Sequence, residues 1–382
     1  MGGSRRQESG FRSQEANASA DVSNETSAKL EALAEGEERR DGPAVVDGLV
    51  ADGFCGAIGN TPLIRLPKLS EACGSEIFGK AEFLNPGGSV KDRAAIGIVL
   101  EAEKSGALKP GGTIVEGTAG NTGIGLALVA NARNYRTIIV LPETMSIEKI
   151  DGLRAMGAEV RTVPEKPYSD PNNYIHVSQR VAAETPNGFW ANQFDNLANR
   201  RIHYRTTGPE IWEQTNGEAD GFVASIGTGG TLAGTGLFLK EQNAKVQVVC
   251  ADPYGAAMWS WVKYGHTDIH DGDSVAEGIG QNRVTANLQG VPIDDAYRID
   301  DRIATEMLYH LLRAEGLFLG LSSAINVCGA VKLAKQMGRG KKIVTILCDT
   351  GARYMSRLFN PAWLAEKGLT PVSKRLEFLE RL

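Results

Sequence analysis

From Gly53 onward the chain alternates short apolar runs with amphipathic stretches of helical period, and this rhythm constrains the fold more than any other feature. The runs Thr113–Glu116, Thr137–Leu141, Ala158–Val163, Gly221–Ile226, Val246–Ala251 and Ile343–Cys348 read as strands, with helical patterns near 122–133, 147–156, 207–215, 231–242, 302–315 and 323–337. Strands separated by helices cannot pair as hairpins, so they are expected to form βαβ units and a mostly parallel, twisted sheet flanked by helices. A chain of 382 residues is long enough to bury a large core and to divide into two α/β domains.

Residues 1–48 break the rhythm. They are rich in Ser, Glu, Ala and Gly and hold too few apolar groups to offset the entropy of ordering, so a disordered tail is expected. Arg5, Arg6 and Arg12 hint at a transit peptide, but Glu8, Glu15, Asp21 and Glu25 intervene, and such peptides avoid acidic residues. A cytoplasmic protein is the expectation, with organellar (for example mitochondrial) import as the alternative. No apolar run approaches the ~20 residues that span a bilayer. The formal charge of -5 argues against nucleic acid and membrane surfaces as partners and leaves small molecules. Cys55, Cys73, Cys250, Cys328 and Cys348 form no C-x-x-C pair and read as reduced, buried thiols. His266 and His270 are four apart but sit in a glycine-flanked loop, so no metal site is expected.

Four segments carry candidate chemistry, and each has a plainer alternative. Asn85-Pro86-Gly87-Gly88 is strong turn chemistry, and Ser89-x-x-Asp92 reads as a capping box, which puts Lys91 in the first turn of a helix. The positive end of a helix disfavours a second positive charge, and a neutral amine is what imine chemistry requires. Alone, the pattern favours a solvated lysine at a helix start. Gly227-Thr228-Gly229-Gly230-Thr231 lies between a strand and a helix, where successive amides, hydroxyls and the helix dipole can cradle a phosphate. It matches neither a dinucleotide fingerprint nor a P-loop, and a plain glycine turn is the alternative. Thr118-Ala119-Gly120-Asn121-Thr122-Gly123 could hold a carboxylate or a ring hydroxyl, or simply cap the next helix. Ser322-Ser323 precedes a helix expected to start at Ala324 and could be an N-cap alone. No nucleophile elbow surrounds these serines, so hydrolase chemistry is unsupported.

In this order, with Gly59-Asn60-Thr61-Pro62-Leu63, Asn192-Gln193-Phe194, Thr207-Gly208-Pro209-Glu210-Ile211-Trp212 and Glu277-Gly278-Ile279-Gly280, these segments resemble the fold type II pyridoxal-phosphate enzymes. The resemblance is to the cysteine synthase (O-acetylserine sulfhydrylase) and cystathionine β-synthase branch, and it runs from about Ile58 to Leu364. It implies a tryptophan synthase β-like, two-domain fold. The smaller domain is expected over 85–196, with a movable part at about 136–181, and the larger over 49–84 and 197–382.

The resemblance also implies roles. Lys91 carries pyridoxal 5′-phosphate as a Schiff base and removes the α proton. Gly227, Thr228, Gly229, Gly230 and Thr231 bind the phosphate, Asn121 the ring hydroxyl, and Ser322 faces the pyridine nitrogen. Thr118, Ala119, Gly120, Thr122 and Gln193 grip the substrate carboxylate, and Gly278 faces the substrate amine. A neutral hydroxyl opposite the ring nitrogen makes a weaker electron sink than a carboxylate would, which suits β-elimination to an aminoacrylate followed by attack of sulfide or a thiol. The implied reaction is O-acetyl-L-serine, or a related activated serine, plus sulfide giving L-cysteine. The alternatives are serine plus homocysteine giving cystathionine, another specialised β-replacement, or a non-catalytic partner-binding relative. A homodimer and a serine acetyltransferase partner are further implications. Ala119, Leu197, Ala324 and Cys348-Asp349-Thr350-Gly351-Ala352-Arg353-Tyr354 depart from the commonest pattern and leave the nucleophile open.

Overall fold

The computed structural model describes residues 45–46, 50–118, 120–145, 147–269, 272–373 and 376–382. The expected tail lies, apart from Val45 and Val46, outside the described residues, as do Ala119 and His270. A small antiparallel pair, β1 (Val45–Val46) and β2 (Val50–Ala51), precedes the main body. β3 (Leu63–Arg65) and β4 (Glu76–Lys80) then form an antiparallel edge. β5 (Thr113–Gly117), β6 (Arg136–Pro142), β7 (Glu159–Val163) and β8 (Gly188–Trp190) make a separate parallel sheet in the order β7-β6-β5-β8. β9 (Gly221–Ala224), β10 (Gln247–Pro253), β11 (Asp295–Ile299) and β12 (Lys342–Ile346) complete a six-stranded sheet, β11-β10-β9-β12-β4-β3, parallel except at β3.

Parallel sheets form here because both faces are covered. Alternate residues of one strand point to opposite sides. On the six-stranded sheet Val223, Val249 and Ile343 pack with the Leu321–Met337 helix, while Phe222, Val248 and Val344 join a second cluster with Leu232 and Leu239 of the Gly230–Gln242 helix. The Asp301–Ala314 helix buries Ala304, Met307, Leu308 and Leu311, a spacing that lays one stripe on the core. Its N-terminus is closed by the Asp300 carboxylate, which accepts from the Arg302 amide at 2.8 Å. In the smaller sheet Ile114 faces the Lys91–Lys104 and Asn121–Ala132 helices, and Val115 faces the Tyr174–Glu184 helix.

Every strand and helix expected from the apolar rhythm is present. β3, β4, β8, β11 and the Tyr174–Glu184 helix were not anticipated: β3 and β8 are only three residues long, β11 reads Asp-Ala-Tyr-Arg-Ile, and β4 ends on the fully buried Lys80. Two local expectations are corrected. The last long helix starts at Leu321 with Gly320 as N-cap, so Ser322 and Ser323 lie within its first turn. The Ser89–Asp92 capping box does not close as a box. Ser89 Oγ accepts from the Lys91 amide at 3.3 Å, and Asp92 reaches back past Ser89 to the Gly87 amide at 2.6 Å. Of the five cysteines, Cys250 and Cys328 are buried, whereas Cys55, Cys73 and Cys348 are only partly so. No helix among the described residues is long and apolar enough to cross a membrane.

Candidate active site

Lys91 is the first residue of the Lys91–Lys104 helix and follows a turn closed by the Gly88 amide on the Asn85 carbonyl at 2.7 Å. Gly88 has φ +82°, a conformation that favours glycine, and a Cβ on Gly87 would stand 2.5 Å from Asp92 Oδ1. The turn is therefore held tightly over the helix start. Burial pushes the Asp92 carboxyl up to about 7, although the Gly87 amide favours its charged form.

The strand-end segment after β12 runs alongside this turn. The Val90 amide donates to the Cys348 carbonyl at 2.9 Å, and Ser89 and Asp349 form an antiparallel bridge. On the other side the Cys348 amide donates to Ser323 Oγ at 2.8 Å, which places Ser322 and Ser323 beside the Lys91 turn. The Ser322 hydroxyl reaches the Cys348 thiol, which burial pushes up to about 11, so both groups are neutral at pH 7. Asp349 accepts from Tyr354 Oη at 2.6 Å and from Asn121 Nδ2 at 2.7 Å on the same oxygen. Burial raises its carboxyl despite those donors.

Thr118 and Gly120 end the turn from β5 into the Asn121–Ala132 helix, where the Thr118 hydroxyl accepts from the amide of the N-cap Gly120 at 3.3 Å. The Asn121 and Thr122 side chains turn away from the helix end to other partners. Thr122 Oγ1 donates to Gln193 Oε1 at 2.5 Å, and the Gln193 amide N–H donates to Glu116 Oε1 at 3.4 Å. Glu116 is 1% exposed, and burial pushes its carboxyl up to about 8 against the donors of Gln193 and Asn192. Asn199 Nδ2 then donates both to the Gln193 carbonyl and to Thr228 Oγ1, each at 2.8 Å. One line of hydrogen bonds therefore joins Thr122, Gln193 and Thr228.

The glycine loop itself is packed too closely for side chains. A Cβ on Gly227 would stand 2.2 Å from the Gly278 carbonyl, one on Gly230 would stand 2.3 Å from Asn199 Oδ1, and Gly229 has φ +85°. Thr231 Oγ1 meets His203 Nε2 at 3.2 Å, and His203 Nδ1 meets Thr207 Oγ1 at 2.8 Å. Burial holds His203 well below the usual imidazole range, with the charges of Arg93 and Lys91 acting in the same direction. A neutral imidazole at this position keeps a second cation from forming beside the loop. Among the described residues the amides of Thr228, Gly229 and Thr231 meet no acceptor. Three such donors at the positive end of a 13-residue helix, flanked by two hydroxyls, suit a phosphate dianion.

Against known proteins, residues 55–349 match the family model described as pyridoxal-phosphate dependent enzyme. This chain belongs to that family. The donor set fits the cofactor: the amides of Thr228, Gly229 and Thr231, with two threonine hydroxyls beside them, for a phosphate, an amide side chain at Asn121, a hydroxyl at Ser322, and an amine at Lys91. The chain is 52% identical to cysteine synthase 1 of Neurospora crassa over 84% of its length and 86% of that protein's. It is likewise 52% identical to cysteine synthase 1 of Emericella nidulans, over 85% of its length and 90% of that protein's. The solved structure of an O-ureido-L-serine synthase superposes with a TM-score of 0.73 at 37% identity, covering 82% of this chain and 99% of that one.

Among the expected site residues that are described, Thr122, Gln193 and Thr228 share one hydrogen-bond line, Gly227 packs on Gly278, and Asn121, Lys91 and Ser322 are tied to the 348–349 segment; Ala119 lies outside the described residues. The site also holds residues that sequence reasoning missed: Glu116, Asn199, His203, Asp349 and Arg353. Asp349 and Arg353 lie in a segment noted only as a departure from the family pattern, and their polarity next to a strand end was the available signal. Among the described residues no cluster of His, Cys, Asp and Glu could hold a metal ion.

Proposed function

We propose that this pyridoxal-phosphate dependent enzyme is a cysteine synthase that joins O-acetyl-L-serine and sulfide to give L-cysteine and acetate. The observation that carries the reading is the hydrogen-bond line Thr122–Gln193–Asn199–Thr228, which with Asn121 arranges three anion and hydroxyl subsites beside Lys91. Bound there, pyridoxal phosphate supplies an electron sink for the pair released at Cα. The chain's residues do the rest. Thr228, Gly229, Gly230 and Thr231 hold the phosphate with Gly227 giving room, Asn121 meets the ring hydroxyl, and Thr118, Ala119, Gly120, Thr122 and Gln193 hold the substrate carboxylate. Gly278 (φ +75°) presents its backbone next to Gly227, where the substrate amine is expected. Lys91 takes the α proton as acetate leaves Cβ and returns it after sulfide adds. Ser322, with the neutral Cys348 thiol behind it, offers the ring nitrogen no counter-charge, which favours rapid elimination and replacement over a long-lived carbanion.

We take the two sheets to mark the two domains, 85–196 and 49–84 with 197–382, and the part at 136–181 to close over the substrate. Lys149 in that part ion-pairs with Glu277 beside Gly278, and Arg283 stacks on Tyr168 at 4.7 Å. Such contacts would form a latch. The same reading makes the enzyme a cytoplasmic homodimer able to bind serine acetyltransferase; sedimentation, alone and with that enzyme, tests both associations.

The decisive experiment measures cysteine formation by the purified holoenzyme from O-acetylserine with sulfide, against serine with homocysteine and other thiols. Borohydride reduction and peptide mapping then locate the cofactor. Cysteine from O-acetylserine and a label on Lys91 support the reading. A faster reaction of serine with homocysteine overturns the substrate assignment, and a label elsewhere overturns the role of Lys91.

A further inference from the structure

Asn121 heads its helix without capping it, and its side-chain amide is taken on both ends. Oδ1 accepts from the Arg353 guanidinium, and Nδ2 donates to Asp349 at 2.7 Å. A guanidinium can only donate, and the Asp349 oxygen already accepts from Tyr354 at 2.6 Å, so the amide cannot be flipped without losing both bonds. The second Nδ2 hydrogen is the donor Asn121 has left to offer.

The same guanidinium, through its other terminal nitrogen, donates to the Gly87 carbonyl in the turn that leads into Lys91. It lies flush on that turn: a Cβ on Gly88 would come 3.0 Å from Arg353 Nη2. The Ser89–Asp349 bridge and the Val90–Cys348 bond fasten the two segments at further points. One short stretch, 348–354, thus ties together the turn carrying Lys91 and the side chain of Asn121, which come from different sequence motifs.

We propose that Arg353, with Asp349 opposite it, is a positioning residue. It presents the Asn121 amide nitrogen, rather than its oxygen, to the cofactor's ring oxygen and sets the distance between that ring and the Lys91 turn. This rests on the reading that Asn121 meets the ring hydroxyl. A fixed donor favours the anionic form of that oxygen, so loss of the arrangement alters the electronic state of the bound cofactor as well as the rate.

The test uses purified full-length holoenzyme with Arg353→Ala, Arg353→Lys, Asp349→Asn, Asn121→Ala and the double variant Arg353→Ala/Asn121→Ala. The readouts are the visible absorbance and visible circular dichroism of bound pyridoxal phosphate, its dissociation constant, and kcat and KM for cysteine formation. Asn121→Ala and Arg353→Ala are expected to shift the visible band in the same direction and to weaken cofactor binding by roughly tenfold, the loss of about one charge-assisted hydrogen bond. The double variant is expected to match Asn121→Ala, and Arg353→Lys to restore part of the band. Should Arg353→Ala not fold, Arg353→Lys and Asp349→Asn carry the comparison. A wild-type band in the Arg353 and Asp349 variants, with a shifted band in Asn121→Ala, overturns the positioning role and leaves the reading of Asn121 standing. A wild-type band in Asn121→Ala overturns both.

Discussion

The helix that begins at Lys91 is anchored from below by a buried charge cluster, and its removal gives a sharp test of how the site is supported. Arg93 is 1% exposed and donates to both oxygens of Glu82 (2.7 and 2.8 Å), to both oxygens of Glu210 (2.7 Å each), to Thr206 Oγ1 at 3.1 Å and to Thr61 Oγ1 at 3.3 Å. Lys80, 0% exposed, pairs with Glu210 at 2.6 Å, so two cations meet two anions and the cluster is neutral. Burial alone would raise Glu82, but Arg93, Thr61 and Lys80 more than offset it and its carboxyl is held below the ordinary range. Arg93→Met strips Glu82 of its cation and leaves one net negative charge in the interior. Breaking a buried pair in this way costs about 3–5 kcal/mol. With Tm changing by about 2–4 °C per kcal/mol for a domain of ~200 residues, a fall of roughly 6–20 °C is expected by calorimetry of the holoenzyme. The double variant Arg93→Met/Glu82→Leu removes one charge of each sign and leaves Lys80 paired with Glu210, so most of the lost stability returns. Equal Tm values for the single and double variants would falsify the argument that the unpaired charge, rather than lost packing, is the cost.

Stability should also fall as pH rises. Glu116 (about 8), Asp92 (about 7) and Asp252 (about 7) are all raised by burial. Unfolded, these groups ionise near pH 4, so the folded state holds extra protons between about pH 4 and 8. The stability they contribute is fully present below that window and lost through it; Tm is expected to drop between about pH 4 and 8, and Glu116→Gln to flatten the upper part of that slope. An unchanged slope sinks the assignment to Glu116. Gly230→Ala places a methyl 2.3 Å from Asn199 Oδ1, so the Asn199 side chain must shift and its Nδ2 loses the bond to Thr228 Oγ1 beside the loop. Equilibrium dialysis should show cofactor binding weaker by roughly tenfold with the far-UV dichroism unchanged, one lost buried hydrogen bond accounting for about that factor.

What could be read beforehand follows the physics of each signal. Strands such as Gly221–Ala224 and helices such as Asp301–Ala314 are encoded by apolar period, which is local, and they fell where expected. The glycine loop was legible because a glycine- and threonine-rich run between a strand and a helix is itself a local pattern, with Gly229 at φ +85°, although the close approaches that Gly227 and Gly230 permit are to the distant Gly278 and Asn199. β4 was not legible, because it ends on Lys80, a charge held inside by Glu210 and Gln214, the first of them 130 residues away in sequence, and by the Thr61 carbonyl. The start of the Leu321–Met337 helix was misplaced because its cap is Gly320, which makes no side-chain bond that Ser322 or Ser323 could have signalled.

The supporting residues share that long-range character. Asn121 meets Asp349, Thr122 meets Gln193, Arg93 meets Glu210, and Asn199 meets Thr228, each across a separation that no window of residues spans. A buried polar side chain is stable only with its partners in place, so each of these pairs is an all-or-none feature of the assembled fold. The motif residues are therefore the part of the site that the chain can specify locally. Their orientation is specified by groups such as Arg353, whose importance appears only once the Gly87 turn and the Asn121 helix have been brought onto one guanidinium. It follows that substitutions at 349–354 should disturb the site in proportion to the hydrogen bonds they remove from Asn121 and Gly87, and not in proportion to their distance along the chain from Lys91.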